Sequence, residues 1–293
     1  MPVGQCLISG VMQNANQLST DILRRFQVER FHLCAETPIA CVYKVQIAKT
    51  GAAALKVYRR CDMGNERNGV AFLQALKGRG AVQIYDQTES VVLMEWLGGP
   101  SLGDLARDGE DTEAATHLLA VAREMRAQVR KTDVPLADLN EWFQALFSLS
   151  FTPECAEQLQ NDMRRAQRLA AARLAKMTEF SPLHGDLHYD NVRLGERGYL
   201  AFDAKGILGD PAYEMANAFR HPADQPELVS DPERINRLAT LWATGFGVSR
   251  QRLLEWACAK CALSIAWRSG SVLSEDKDAQ LLNALLSCAD GRV

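Results

Sequence analysis

The sequence predicts an α+β fold with two lobes: a small, β-rich N-terminal lobe and a larger, mostly helical C-terminal lobe. From about residue 31 to residue 95, apolar runs of strand length alternate with turn residues around a single helical segment. From residue 101 onward, apolar residues recur mainly at helical spacing. The run Gly98-Gly99-Pro100 interrupts both patterns. The predicted lobes are therefore residues 1–97 and 98–293.

The N-terminal lobe is predicted to contain a covering helix, four strands and a second helix. Apolar residues from Leu18 to Phe26 have near-helical spacing, and extended structure is expected to begin at Phe31. The remaining elements are strands at 39–47 and 53–58, a helix at 65–77, and strands at 81–85 and 91–97. Lys49-Thr50-Gly51 has the composition of a hairpin turn, and Gly78-Arg79-Gly80 that of a helix stop.

The C-terminal lobe is predicted to be helical except for one hairpin. Its helices are expected at about residues 102–105, 112–129, 136–149, 154–177, 211–219, 231–244, 249–269 and 280–288. Between the fourth and fifth of these, two short strands flank a turn that runs from Gly195 to Gly198. Glycine supplies the backbone freedom that such a turn needs.

Composition excludes several classes of function. The 293 residues are 47% hydrophobic and 24% charged, as in an ordinary globular protein, and the net charge of −3 lacks the basic footprint of a nucleic-acid-binding protein. No apolar run reaches the roughly 18 residues of a membrane span, and residues 1–16 do not resemble a signal peptide. The eight cysteines are scattered, and Cys258 and Cys261 lack the further ligands of a zinc site. We expect a cytoplasmic protein that binds neither nucleic acid nor membrane.

Three polar residues around the predicted hairpin indicate chemistry. Asp186 lies on the loop before it, Asn191 enters its first strand, and Asp203 follows its second. Pairing the two strands would bring these side chains together, and carboxylate and amide oxygens are ligands that Mg²⁺ prefers. Asp186 and Asn191 are five residues apart, which is the spacing in a kinase catalytic loop.

Residues 184–191 (HGDLHYDN) and 203–214 (DAKGILGDPAYE) carry a resemblance to a known family. They resemble the aminoglycoside phosphotransferases, and most closely the branch of streptomycin 6-phosphotransferases and hydroxyurea phosphotransferases. The resemblance runs from about Phe31 to about Trp267, most of the chain. It implies a two-lobed protein-kinase-like fold and an enzyme that inactivates a small molecule, such as an antibiotic, by transferring phosphate from ATP to a hydroxyl group.

The resemblance also implies roles for individual residues. Asp186 would orient the attacking hydroxyl, and Asn191 and Asp203 would hold Mg²⁺ against the phosphates of ATP. Lys56, alone in an apolar strand, would contact the α- and β-phosphates. The adenine would bind to the backbone of Glu95, Trp96 and Leu97 at the interlobe hinge. His184 would brace the catalytic loop.

Two features depart from known kinases, the first from protein kinases and the second from the aminoglycoside phosphotransferases. Residues 35–40 contain no glycine, so no glycine-rich phosphate loop is present. The family's glutamate partner for the strand lysine falls near Gly69, whereas this chain offers Glu66. Because positions three apart share a helix face, Glu66 is expected to reach Lys56, although a solvated glutamate in a first helical turn remains the alternative.

The acceptor is predicted to be a small molecule. Only residues 204–209 separate Asp203 from Asp210, which leaves no segment to hold a peptide. Trp256, Trp267 and the acidic residues of the tail are candidate contacts for a cationic aminoglycoside, although core packing explains the tryptophans equally well. Asp210 is expected to cap the following helix. Lys205, beside Asp203, could contact phosphate or substrate.

Two alternatives remain at this point. One is a metabolic kinase of the same fold that acts on a hydroxylated metabolite. The other is a nucleotide-binding regulator without transfer activity, which the complete set of Lys56, Asp186, Asn191 and Asp203 disfavours. The sequence determines neither the acceptor nor the oligomeric state.

Overall fold

The N-terminal lobe is built on one antiparallel sheet. In this computed structural model, residues 18–48, 51–129 and 136–292 are described. The five strands lie in the order β1-β2-β3-β5-β4. The elements of this lobe are α1 (Thr20–Arg25), β1 (Val28–Glu36), β2 (Ala40–Ile47), β3 (Gly51–Tyr58), α2 (Arg67–Leu76), β4 (Ile84–Gln87) and β5 (Val91–Glu95). The predicted turn residues Lys49 and Thr50 lie outside the described residues, as do the residues considered for a signal peptide.

The alternation of side chains in β3 decides which residues face the active site. Leu55 and Val57 point to one face of the sheet, where they pack with Ile22 and Phe26 of α1. Lys56 points to the opposite face, because successive side chains of a strand alternate. The predicted covering helix is thus present, but β1 begins at Val28 rather than at Phe31.

The C-terminal lobe surrounds the long, buried helix α9. The helices are α3 (Leu102–Arg107), α4 (Asp111–Gln128), α5 (Leu139–Phe147), α6 (Glu157–Ala175), α7 (Pro226–Ser230), α8 (Pro232–Phe246), α9 (Arg250–Ser269) and α10 (Ala279–Ala289). The short strands are β6 (Ala137–Asp138), β7 (Ser150–Phe151), β8 (Ser181–Leu183), β9 (Val192–Gly195), β10 (Gly198–Ala201), β11 (Ile207–Gly209) and β12 (Val272–Leu273). The predicted hairpin is present as the antiparallel pair β9–β10, with Gly195 opposite Gly198.

One predicted helix is wrong. Residues 211–219 form two short 3-10 segments, Pro211–Tyr213 and Ala216–Arg220, instead of an α-helix. Asp210 caps the first segment by accepting a hydrogen bond from the amide of Ala212. Between the segments, the buried carboxylate of Glu214 accepts hydrogen bonds from the amides of residues 184 and 185. This tertiary contact holds the chain in a conformation that its helical periodicity did not indicate.

The two lobes share one continuous apolar cluster that runs from β2 through α2 to α9. The antiparallel sheet and the helical lobe confirm the predicted α+β architecture. Because the apolar cluster is shared by both lobes, the division between residues 97 and 98 stays a prediction. No helix in the described ranges is long and apolar enough to cross a bilayer.

Candidate active site

The catalytic loop is held by the side chain of His184. The imidazole is fully buried, and its Nε2 lies 2.9 Å from the carbonyl oxygen of Phe202. Because a carbonyl only accepts, Nε2 carries the proton, and Nδ1 accepts a hydrogen bond of 3.3 Å from the amide of Asp186. Burial lowers the pKa of His184, which favours this neutral form. The imidazole of His184 thus connects Phe202, the residue before Asp203, to Asp186.

Asn191 lies in the same network. Its side-chain Nδ2 donates to the backbone oxygen of Asp186 at 3.0 Å, and its own carbonyl oxygen accepts from the amide of Phe202 at 3.0 Å. Asp203 follows directly, with a φ of 58°. The amide orientation leaves Oδ1 of Asn191 as the atom to bind a cation. Together with the Asp203 carboxylate it provides hard oxygen donors, so the residues present fit Mg²⁺.

Across the cleft, two lysines and two carboxylates form a compact ionic group. Nζ of Lys56 lies 2.8 Å from Oδ1 of Asp203 and 3.0 Å from Oε2 of Glu66. Nζ of Lys205 lies 2.7 Å from Oε1 of Glu66 and 3.8 Å from Asp203. Burial favours the neutral amine of Lys56, but the charges of Asp203 and of the other groups around it together outweigh burial and raise the pKa. Burial likewise raises the pKa of Asp203, but Lys56 and Lys205 outweigh it and lower the pKa. Lys56 and Asp203 therefore remain charged.

The position of Glu66 has a steric explanation. The backbone of α2 lies against residues 204–206, so a Cβ atom at Gly69 would lie 1.7 Å from the carbonyl oxygen of Ala204. A glutamate cannot occupy position 69 at this distance. Glu66, one turn earlier, lies at the edge of the contact, and its carboxylate bonds both Lys56 and Lys205.

A cleft of about 630 Å³ lies beside this ionic group. It is lined by the loop between β1 and β2, by the cleft face of the sheet, by Phe202 and Asp203, and by the hinge at residues 94–98. The strand ladder ends at Glu95, so the following peptide groups of Trp96 and Leu97 lie outside the sheet. The carboxylate of Glu95 accepts hydrogen bonds from Arg197 and from the amide of Gln83.

Three contacts of Asp186 were not predicted from the sequence. Oδ1 accepts a hydrogen bond of 2.9 Å from Nδ2 of Asn217 and lies 3.8 Å from Nζ of Lys260. Oδ2 lies 3.9 Å from Nε2 of His188. Burial raises the pKa of Asp186, but the charge of Lys260, with smaller contributions from His188, His184 and Lys205, outweighs it and lowers the pKa. No local motif marks Asn217 or Lys260, because both reach the loop from distant parts of the chain.

The residues predicted to contact the acceptor differ in burial and in bonding partners. Trp256 is fully buried and donates to Asp210 at 2.8 Å, so it belongs to the core. Trp267 is 44% exposed. The tail acids Asp276 and Asp278 are ion-paired, the first with Arg268 and the second with Arg268 and Arg220. Their charges are thus largely neutralised by this chain.

Comparisons with known proteins agree with this geometry. Residues 25–271 match the family described as aminoglycoside/hydroxyurea antibiotic resistance kinases. The chain is 35% identical over 223 residues to the streptomycin 3''-kinase of Klebsiella pneumoniae, covering 74% of this chain and 80% of the relative. It is 30% identical over 229 residues to the hydroxyurea phosphotransferase of Kitasatospora aureofaciens, covering 74% and 63% respectively.

The fold is also that of a solved kinase. A thermostable mutant of aminoglycoside phosphotransferase APH(4)-Ia, in ternary complex with ADP and hygromycin B, superimposes with a TM-score of 0.59 at 14% identity. The match covers 92% of this chain and 97% of that one. At this identity the likeness concerns the fold alone, and it confirms the predicted kinase-like architecture. The chain belongs to the aminoglycoside/hydroxyurea antibiotic resistance kinase family, as its catalytic-loop residues predicted.

Proposed function

We propose that the protein transfers the γ-phosphoryl group of ATP to a hydroxyl group of a small antibiotic molecule. The observation that carries this proposal is the ionic group in the cleft, where Lys56 lies 2.8 Å from Asp203 and 3.0 Å from Glu66. A lysine fixed by a helix glutamate next to a metal-binding aspartate is the arrangement that kinases use to hold the phosphates of ATP. Family membership supports the same reading.

Each part of the cleft has a role in binding the nucleotide. The hinge backbone at residues 95–97 receives the adenine, and the ammonium of Lys56 binds the α- and β-phosphates. Asn191 and Asp203 would hold Mg²⁺, which neutralises the charge that develops on the phosphate oxygens when it is bound. Lys205, already bonded to Glu66, is a second cation within reach of the phosphates.

Asp186 orients the acceptor. Its lowered pKa keeps the carboxylate ionised at neutral pH, so it accepts a hydrogen bond from the attacking hydroxyl and aligns it with the γ-phosphorus. A carboxylate of low pKa is a weak base for an alcohol. We infer that Asp186 first orients the hydroxyl and receives its proton late in the transfer.

The acceptor site suits a small molecule. Strand β11 begins only four residues after Asp203, and it pairs with β6 and β8 in the lobe. The segment that would hold a peptide in a protein kinase is therefore part of a sheet in this chain and is not available to bind a peptide. The relatives act, by their names, on streptomycin and on hydroxyurea, and we propose an acceptor of one of these two kinds for this chain.

One observation favours a second candidate, a kinase for an uncharged metabolite. Two of the three tail acids that would attract a polycationic aminoglycoside, Asp276 and Asp278, are paired with Arg220 and Arg268, and Glu275 is exposed. An uncharged acceptor would leave these ion pairs undisturbed, whereas a guanidinium-bearing acceptor would have to displace an arginine or bind elsewhere.

A panel assay tests the proposal. Purified protein is incubated with ATP and Mg²⁺ and with streptomycin, hydroxyurea or uncharged polyols, and ADP release and ³¹P NMR of the product are measured. We expect turnover with at least one acceptor, and Asp186→Asn should lose about 10²- to 10⁴-fold in kcat while binding ATP normally. Asp21→Asn, on the exposed surface of α1, is the matched control.

The outcomes separate the candidates. Turnover with polyols but with neither drug would favour the metabolite kinase. Bound ATP without transfer to any acceptor would favour the regulator, and full activity in Asp186→Asn would refute the assigned role of this residue.

A further inference from the structure

A buried cation on α9 lies next to the candidate catalytic carboxylate. The side chain of Lys260 is 2% exposed, and its Nζ is 3.8 Å from Oδ1 of Asp186. Burying a charged amine is costly unless a partner compensates for the lost hydration. The position of this lysine therefore needs an explanation beyond packing.

Aromatic rings form the other walls around the ammonium. Nζ lies 4.6 Å from the ring centre of Trp267 and 5.9 Å from that of Trp142, and the two rings meet edge to face. Such rings attract a cation without accepting a strong hydrogen bond. Among the residues that the structure describes, Lys260 donates no hydrogen bond within normal range, so Asp186 is the anion that it faces.

The two oxygens of Asp186 have different surroundings. Oδ1 is held by the amide of Asn217 and by the charge of Lys260, whereas Oδ2 is 3.9 Å from His188. Asn217 is in turn held by Arg220, whose guanidinium donates to its Oδ1 at 2.9 Å. One oxygen is thus fixed from α9 and from the adjoining 3-10 segment, and the other is left for a ligand.

We propose that Lys260 is a positioning residue for phosphoryl transfer, whose ammonium, with Asn217, fixes Oδ1 of Asp186 so that Oδ2 is turned to receive the acceptor hydroxyl. This inference rests on the proposed function. His188 stands two residues after Asp186 in the loop, and the cation comes from α9.

The pH dependence follows from the groups around the pair. The charged or titratable groups around Asp186 are Lys260, His184, His188, Lys205, Tyr213 and His221. Those around Lys260 are Asp186, Arg220, Lys205 and Cys261.

Loss of the lysine charge should change the alkaline limb of the pH profile. Burial lowers the pKa of Lys260 to about 8, which Asp186 partly opposes, so the wild-type rate should fall as pH rises through about 8. An arginine at this position stays charged and should keep the rate at alkaline pH.

Three variants test the proposal. Lys260→Met removes the charge at similar volume, Lys260→Arg keeps the charge, and Ser264→Ala, one turn along the same buried face of α9, controls for packing. We expect Lys260→Met to lose up to about 100-fold in kcat with an unchanged KM for ATP, and its rate should no longer fall as pH rises through about 8. Lys260→Arg should recover part of this loss, and Ser264→Ala should match the wild type.

A measurement without turnover makes the outcome independent of the acceptor. In protein labelled with ¹³C at lysine Cε, the Lys260 signal is assigned by its loss in Lys260→Arg, and its titration is followed in wild type and in Asp186→Asn. Removing the carboxylate charge should lower the pKa of Lys260 further.

The possible results are distinct. An unchanged Lys260 titration in Asp186→Asn, or a wild-type kcat in folded Lys260→Met, would overturn the inference. If the wild type phosphorylates no acceptor, the proposed function fails, and the NMR titration alone decides whether the pair interacts.

Discussion

Replacing Gly69 with alanine should move Glu66 away from Lys205 and Asp203 in the ionic group of the cleft. Gly69 lies in α2, where its Cα faces the carbonyl of Ala204, the residue that follows Asp203. The contact is mutual, because a Cβ at Gly206 would lie 2.1 Å from the carbonyl oxygen of Asn68. At this point α2 and the segment after Asp203 meet backbone to backbone.

The size of the effect follows from the distances. An alanine Cβ at position 69 would lie 1.7 Å from the Ala204 oxygen and 2.6 Å from its carbonyl carbon. Restoring ordinary contact distances requires a movement of about 1.5–2 Å. Glu66 would move away from Lys205 and Asp203, and a misplacement of about 1 Å can reduce a rate about 100-fold.

The sign of the change in the free energy of unfolding of Gly69→Ala also tests the reasoning. In an unhindered helix interior, glycine to alanine stabilises by about 1 kcal/mol. Here we expect destabilisation by about 1–3 kcal/mol, as for other overpacked sites. Gly245→Ala in α8 is the matched control. The atoms nearest to its Cβ would belong to the side chain of Leu119 in α4, and neither residue lines the cleft. That side chain can rotate, so kcat should be unchanged.

Urea denaturation and steady-state kinetics with ATP measure these changes. A Gly69→Ala protein with a raised free energy of unfolding and wild-type kcat would refute the reasoning, since it would show that the close backbone contact does not position Glu66.

Three further predictions concern other parts of the chain. Lys56→Met should weaken ATP binding at least about tenfold, because a charged hydrogen bond contributes about 1.5–3 kcal/mol; calorimetry that finds equal affinity would exclude the phosphate role. Asp111→Asn should lower the free energy of unfolding by about 3–5 kcal/mol, because it deprives the fully buried Arg234 of its partner; a loss below about 1 kcal/mol in urea denaturation would contradict this. Burial raises the pKa of Glu214 to about 7, so the folded state holds this proton more tightly than the unfolded chain, and stability should fall as pH rises from ~4.5 to ~7. Glu214→Gln should flatten that slope of Tm against pH, and an unaltered slope would contradict the assignment.

Local signals account for the parts of the site that the sequence predicted. The spacing of Asp186 and Asn191, and the glycines at the hairpin turn, act within a few residues of one another. The alternation of β3 likewise brings Lys56 to the cleft face without help from distant residues. Such patterns depend on backbone geometry, which neighbouring residues determine.

Other features depended on packing between distant segments. The helix expected at residues 211–219 is absent because Glu214 bonds the catalytic loop. Trp256 was a candidate acceptor contact, but it is buried against Asp210. The tail acids are neutralised by arginines from other elements. Except for Arg268, which is eight residues from Asp276, these partners are distant in sequence.

The sequence by itself determined the family, the two-lobed architecture and the residues aligned with the kinase catalytic loop, because those signals are short-range motifs. Only the tertiary structure decided that Glu66 is bonded to Lys56, that α2 approaches residue 204 too closely for any side chain at position 69, and that Lys260 faces Asp186. Each of these depends on distances between segments far apart along the chain, and these distances are set by how the helices pack and not by any local pattern.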